Sequence, residues 1–352
     1  VKSRQRTVRL ELAEPLRISR STMAARDAVW LTVEHDGQRG HGEAVTSVYY
    51  GLDTDTLERL LHAESQWLAG FHDPETALEA VQDGTRRAAA PPAVTAAVES
   101  ALLDLVGKRA DLPVHRLLDP RGVPPRATTA RTLGITPPER AGARAARLVR
   151  DGFTVLKVKA GSPDPGDDLA RVRAVRTAAP RARLLLDPNG AWTVRESERL
   201  LPLFAELGVE AVEQPLAPGD PEALARLAER SPLPVVADED AVDFEDARRL
   251  AGRVQGINVK LAKCGGVGAA LRIAELVADT GTELMLGCLT ASTLGIAPAV
   301  HLAHRARWVD LDGHLLLADD PWAGIGGTDG TVRASRHPGL GVRERAAQET
   351  GT

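Results

Sequence analysis

Six ionisable residues recur through the later part of the chain at nearly constant spacing. Lys159, Asp187, Glu213, Asp238, Lys263 and Asp310 follow one another at gaps of 28, 26, 25, 25 and 47 residues. The last gap is two periods, with the intervening segment ending near Cys288. Asp187, Glu213 and Asp238 come from successive repeats, so their carboxylates can converge. Three carboxylates do not stay ionised side by side without a cation among them. A set of oxygen donors without His or Cys selects Mg²⁺, with Mn²⁺ next. Asn189, two residues past Asp187, can point the same way; Glu239 and Asp240 compete with Asp238 for the third place. The alternative is three unrelated strand-end acids that cap the helices after them.

Lysines flank the acids. Lys157 and Lys159 are two apart in the apolar run FTVLKVKAG (153–161), so in a strand they share one face. Lys260 and Lys263 come after the acids, and strand alternation puts them on opposite faces without choosing between them. A partly desolvated lysine next to a cation has a lowered pKa and can act as a general base. Lys157 beside Lys159 adds like-charge repulsion in the same direction. The competing reading of Lys157 is a structural ion pair with a nearby carboxylate. Two bases on opposite sides of a metal-bound carboxylate or carboxamide fit one reaction: one lysine removes an α-proton, the metal holds the enolate charge, and the other returns a proton to the opposite face. The outcome is racemisation or epimerisation.

The elements that must position these residues are legible. TTARTLGI, TVLKVKA, ARLLLDPNG, VEAVEQP, LPVVADED, GINVKLAKCG, TELMLGC and ARWVDLDG read as strands, separated by helical segments such as DLARVRAVRTAA. Eight strands alternating with helices predict an α/β fold, a TIM-like (β/α)₈ barrel. An open doubly wound sheet is disfavoured because no GxGxxG opens its first unit. In a barrel the recurring charges fall at the C-terminal strand ends, where active sites are built. Residues 1–124 are different: the strand patterns TVRLEL and AVWLTVEH precede GQRGHGEA and a helix over 93–110, and PRGVPPRA reads as a linker. These features predict an α+β cap over 1–124, a barrel over 125–314, and a closing segment over 315–352 that packs back on the cap.

Composition narrows the function. The 352 residues carry net charge −4 with 26% charged, 43% hydrophobic and 3% aromatic residues. Mixed charge and few aromatics argue against nucleic-acid and membrane roles. Leu284 to His304 holds no Asp, Glu, Lys or Arg, but its Gly, Thr, Ser and Pro content predicts a strand, a polar loop and a buried helix. Two cysteines without paired spacing, and no apolar leader near residue 1, fit a cytoplasmic protein.

Together these motifs resemble the enolase superfamily, in its muconate-lactonising-enzyme subgroup, and the dipeptide epimerases most specifically. GHGEA, ESALLDLVGKRADLPVHRLL, TVLKVKAG, LLLDPNGAW, VEQPL, VADED, NVKLAKCGGV and VDLDG carry the resemblance across nearly the whole chain. It implies an enolase-type modified barrel and a Mg²⁺-dependent epimerase that inverts the α-carbon of a dipeptide's second residue. Lys159 is implied as one base with Lys157 modulating it, Lys263 as the other base, and Asp187, Glu213 and Asp238 as the metal ligands. Asp310 and Asp312 are implied to hold the substrate's α-ammonium group. Arg20, in the cap loop RISRST, is placed to meet a substrate carboxylate, and Tyr49 and Tyr50 to wall the pocket. The resemblance also implies a homo-oligomer. The chain departs from the family in GCLTASTLG, where Ala291 occupies a usual Glu position. The alternatives are an N-acylamino acid racemase, an o-succinylbenzoate synthase or a cycloisomerase of the same subgroup. From another class, a non-catalytic ligand-binding barrel remains.

Overall fold

The computed structural model describes residues 1–83 and 90–346. Three long antiparallel strands open the chain: β1 (Lys2–Ile18), β2 (Ser21–His35) and β3 (Gln38–Val45). Helices α1 (Thr54–Leu68), α2 (Pro74–Gln82) and α3 (Pro92–Arg109) follow. Asp53 and Asp73 cap the first two, accepting from Thr56 N and Thr76 N at 2.8 Å each. Helix α3 lies directly on β3 because β3 has glycines where it passes. A Cβ on Gly42 would sit 2.0 Å from the Ala97 carbonyl oxygen, and one on Gly40 2.1 Å from that of Ala101. GQRGHGEA is therefore a strand, sequence-encoded by its need to admit a helix.

The segment after α3 is not all linker. Its end forms β4 (Arg126–Thr128), which pairs antiparallel with Thr331–Arg333. Then come β5 (Arg131–Leu133), β6 (Val155–Lys159), β7 (Arg183–Asp187), β8 (Val209–Glu213), β9 (Val235–Ala237), β10 (Gly256–Val259), β11 (Glu283–Gly287) and β12 (Trp308–Asp310). They pair in sequence order, all parallel. The ring closes beside β5 and β12: Ala130 N donates to Val309 O at 2.8 Å, and Leu311 N to Thr129 Oγ1 at 2.9 Å. The charge-free run 284–304 is covered by β11, a loop and the helix Thr293–Val300. No described helix is long and apolar enough to cross a membrane, and both cysteines are free.

Strand alternation sorts the barrel interior into layers. Ala130, Val155, Leu185, Ala211, Val236, Met285 and Trp308 pack together as one apolar plug. Two residues further along the same faces stand Thr132, Lys157, Asp187, Glu213, Asp238, Gly287 and Asp310. In β10 the plug position is Gly256, whose Cβ would press on Trp308 and Val236, and the next layer holds Asn258. The apolar strand can aim two lysines inward because the layer above the plug is polar at every strand except β11, where Gly287 stands.

The closing segment touches the cap. Trp322 packs edge-on against Trp30, with ring centroids 5.4 Å apart, and Ala318 N donates to Glu11 O at 2.9 Å. On the barrel's far side His301 is fully enclosed. Its Nδ1 accepts from His115 N at 3.1 Å and its Nε2 faces Leu340 O at 3.3 Å. A second proton on Nδ1 would meet the His115 N–H. Burial pushes the His301 pKa down to about 4. His41 is pushed to a similar value by burial and nearby cations. A depressed folded pKa means that stability is intact above the unfolded value of about 6.5 and is lost as pH falls toward 4. The expected loss for His301 is about 3 kcal/mol across that window. Urea midpoints between pH 7 and 4 check it: His301→Gln flattens part of the decline, and an unchanged slope in that variant removes His301 as a cause.

Candidate active site

Above the polar layer lies a cavity of ≈ 690 Å³, walled by strand ends below and by β1, β2 and the 46–50 loop above. Lys157, Lys159, Asn189, Asp238, Glu239, Lys260, Asp310 and Asp312 all line it. Two carboxylates, separated by one strand of the ring, are each held by two lysines. Asp187 Oδ2 lies 3.0 Å from Lys157 Nζ and 2.5 Å from Lys159 Nζ. Asp238 takes Lys260 Nζ on Oδ2 at 2.6 Å and Lys263 Nζ on Oδ1 at 2.5 Å. The ammoniums outweigh burial at Asp238 and hold its carboxyl well below the usual range. Asp187 is likewise lowered against burial, by Lys157 and then Lys159.

One lysine of each pair is more deeply buried than the other, and of the four only Lys263 is absent from the cavity lining. The Lys157 side chain is 3% exposed and that of Lys263 0%, against 11% for Lys159 and 13% for Lys260. Lys157 also contacts Glu213 Oε2 at 2.6 Å and donates to Asp310 Oδ2 at 2.7 Å. Burial acts to lower its pKa, but Asp187, Asp310 and Glu213 raise it well above the ordinary lysine value. The sequence expectation that Lys157 softens Lys159 by repulsion gives way to a different arrangement, in which Lys157 is the hub of three carboxylates.

The structure places Lys263, expected as the second base, outside the cavity lining. β10 ends at Val259 and the chain enters the helical turn Leu261–Cys264. Lys260 continues the inward face of Asn258, whereas Lys263 is carried behind the wall. There its ammonium donates to the Asp238 and Ala241 carbonyls at 2.6 and 3.1 Å. Among the described residues, the lysine that faces Lys159 across the cavity is Lys260. Lys263→Met is expected to cost about 3–5 kcal/mol, the range for breaking a buried ion pair, because both carbonyls lose their donor. A urea midpoint equal to wild type would contradict this structural role.

The three acids of consecutive strands are all buried. Burial and Asp187 push Glu213 up to about 7, with Lys157 opposing. Among the described residues no three acid, imidazole or thiol groups stand close enough to enclose an ion in this conformation; lysine ammoniums lie between them. Several buried oxygens at the same mouth nevertheless lack a hydrogen-bond partner: Asn189 Oδ1, Glu239 Oε2 and Asp310 Oδ1.

Asp310 and Asp312 are not equivalent. Asp312 Oδ2 accepts from Arg131 Nη1 at 3.0 Å and Thr132 N at 2.7 Å, and Oδ1 from Thr132 Oγ1 at 3.2 Å. Asp310 keeps Oδ1 free of partners. Arg20 reaches the mouth but is engaged, donating to Glu239 Oε1 at 2.8 Å and Asn189 O at 3.1 Å beneath the Tyr49 ring. Tyr50 lines the same cavity. Ala291 is buried against a separate ≈ 50 Å³ cavity that Glu43 and Lys260 also line.

Sequence reasoning missed the residues that hold the acids in place. Asn258 Nδ2 donates to Glu213 Oε1 at 2.8 Å. Gln214, at φ 36°, accepts Asp238 N at 3.0 Å and Asp240 N at 3.2 Å on its Oε1. Asn258 was findable, since it shares a face with Lys260; the partners of Gln214 were not.

Comparison with known proteins places the chain. Residues 2–119 match the mandelate racemase/muconate lactonizing enzyme N-terminal domain, and residues 140–347 the enolase C-terminal domain-like family. The chain belongs to this family of the enolase superfamily, and it is an enzyme of the isomerase class. A hydrophobic dipeptide epimerase of Flavobacteria bacterium (strain MS024-2A) is 33% identical, covering 95% of this chain and 96% of its own. An L-Lys-D/L-Arg epimerase of Methylococcus capsulatus is 35% identical over 96% of this chain and 97% of its own. A crystal structure of a dipeptide epimerase from Enterococcus faecalis V583, complexed with Mg and L-Leu-L-Tyr, superposes with TM-score 0.90 at 30% identity, covering 97% of this chain and 98% of that one.

Proposed function

We propose that the chain epimerises the α-carbon of the second residue of a dipeptide, with Lys159 and Lys260 as the two proton carriers. One observation carries the reading: these are the most exposed of the four clustered lysines, both lining the cavity, on β6 and just past β10, four strands apart in an eight-stranded ring. A planar carbanion between them has a proton donor on each face. Each lysine is aimed by a carboxylate that a second, more buried lysine also holds, so neither swings freely. Burial lowers the Lys260 pKa, but Asp238 and Glu213 outweigh it and keep the ammonium above its ordinary value. It therefore stands as a proton donor in this state.

Asp187, Glu213 and Asp238 fit a divalent cation. They are oxygen donors from adjacent strands, and Asn189 Oδ1 and Glu239 Oε2 beside them are buried without a hydrogen-bond partner. When bound, Mg²⁺ would take up the charge that the lysines now balance and that of the substrate's carboxylate. Asp310 Oδ1, an unpartnered buried acceptor, suits the α-ammonium of the first residue. Asp312 supports it from behind, fixed by Arg131 and Thr132.

A second reading is racemisation of N-acylamino acids. An N-acetyl-D-glutamate racemase of a Pseudoalteromonas species is 36% identical over 64% of this chain and 68% of its own. The free carboxylate oxygen of Asp310 favours the dipeptide, because an N-acyl group brings no cation to it. The test is α-proton exchange in D₂O, followed by ¹H NMR with Mg²⁺ and a panel of L,L-dipeptides and N-acylamino acids. Exchange at the second residue with appearance of a diastereomer, abolished by EDTA and restored by Mg²⁺, is the expected result. Exchange confined to N-acylamino acids moves the assignment to the second reading. No exchange at all makes Ala291 the first suspect and favours a non-catalytic barrel.

A further inference from the structure

Arg26 differs from the other cations around the cavity. Lys157, Lys159, Lys260 and Arg20 each have a carboxylate partner, and Arg9 pairs with Glu11. The Arg26 guanidinium meets no oxygen among the described residues. Its Nε and Nη2 each lie 3.3 Å from Met23 Sδ, a weak acceptor. Its Nη1 is shut off from solvent with no hydrogen-bond partner. A guanidinium has five N–H donors, and removing them from water without acceptors is unfavourable. Consistently, burial pulls the Arg26 pKa down to about 10.

The strand fixes where this cation points. Arg26, Ala28 and Trp30 lie on one face of β2. Trp30 identifies that face as the one toward the barrel: its Nε1 donates to Glu43 Oε2 at 2.7 Å, and Glu43 Oε1 accepts from Ser292 N, after β11, at 2.9 Å. Four residues before Trp30, Arg26 lines the large cavity together with Cys288. The Cys288 thiol donates to Asp310 O at 3.3 Å. Arg26 thus lies on the β11–β12 side, with Asp310. Arg20 lies on the side of Asn189 and Glu239.

We propose that Arg26 receives an acidic side chain on the first residue of the dipeptide, making Asp or Glu the preferred residue there. The proposal rests on the dipeptide reading above. Asp310 takes the α-ammonium of that residue, and the side chain leaving the same α-carbon meets Arg26. A carboxylate supplies two acceptors in the geometry a guanidinium fits. A cationic first residue would leave Arg26 unpaired and face like charge. The chemistry recognised is a carboxylate a few bonds from the reacting unit, which an N-succinyl group could also offer.

The experiment measures kcat/KM by α-proton exchange in D₂O with Mg²⁺ for Glu-Leu, Gln-Leu, Ala-Leu, Lys-Leu and N-succinyl-leucine. Wild type, Arg26→Met and Arg26→Lys are compared, with thermal melts confirming that both variants fold. In wild type, Glu-Leu is expected to exceed Gln-Leu by about 10-fold and Lys-Leu by about 100-fold. In Arg26→Met the ratio of Glu-Leu to Ala-Leu falls by about 100-fold, largely through KM, and Arg26→Lys restores part of it. Equal use of Glu-Leu and Gln-Leu by wild type, or an unchanged Glu-Leu to Ala-Leu ratio in Arg26→Met, overturns the role of Arg26 while leaving the dipeptide reading intact. Exchange of N-succinyl-leucine alone overturns both.

Discussion

Lys159→Met and Lys260→Met are each expected to lower epimerisation by about 10³-fold, within the usual contribution of a general acid or base, and the two losses should differ in kind. With Lys260 removed, Lys159 can still lift a proton from the epimer that presents it and return a deuteron to the same face. That epimer exchanges without inverting, and the other is inert. Lys159→Met gives the mirror result. Both variants should fold, because each carboxylate keeps its second lysine: Asp187 retains Lys157 and Asp238 retains Lys263. The readout is ¹H NMR in D₂O on the L,L- and L,D-epimers separately. Identical loss of exchange from both epimers in both variants would falsify the two-sided assignment. A Lys263→Met protein that folds normally and reproduces the Lys260→Met pattern would return the second role to Lys263.

The confusion between these two lysines shows how far sequence could go. The barrel was legible because its strand ends repeat near 25 residues, and a strand carries one inward charge per period. That same regularity favoured Lys263, which falls 25 residues after Asp238. The repeat breaks there because the chain leaves the strand at Val259 and turns helically, so alternation no longer applies by residue 263. Asn258 carried the missing signal: a polar residue inside GINV must face the polar interior, and Lys260 shares its face. The cap was less legible. The 17 residues of β1 begin in the polar run KSRQRT, exposed along most of its length, and their strand state comes from pairing with β2. The anchoring of Asp312 was beyond reach, since its partner Arg131 lies 181 residues away. The unpartnered state of Arg26 was hidden for the same reason, because the acceptors a side chain lacks depend on every element packed round it.

Asp310→Asn is expected to lower kcat/KM for dipeptides with a free amino terminus by about 100-fold or more, the scale of removing one member of a buried charge pair. The amide has the same shape, so packing is kept, but it offers an NH₂ where an ammonium would need an acceptor. Lys157 loses one of three carboxylates and keeps Asp187 and Glu213, so the polar layer remains tied. The change should therefore act through substrate choice. The ratio of N-acetyl to free dipeptide turnover rises, because the N-acetyl group brings no charge. Asp312→Asn provides the contrast. Its carboxylate already binds Arg131 and Thr132, so losing the charge leaves Arg131 without its acid. That variant is expected to lose stability by about 3–5 kcal/mol without a matching change in the ratio. The two are separated by measuring urea midpoints and the N-acetyl to free dipeptide ratio on both proteins. If Asp310→Asn slows both substrates equally, its charge serves Lys157 and the barrel interior, and the ammonium of the first residue is held elsewhere.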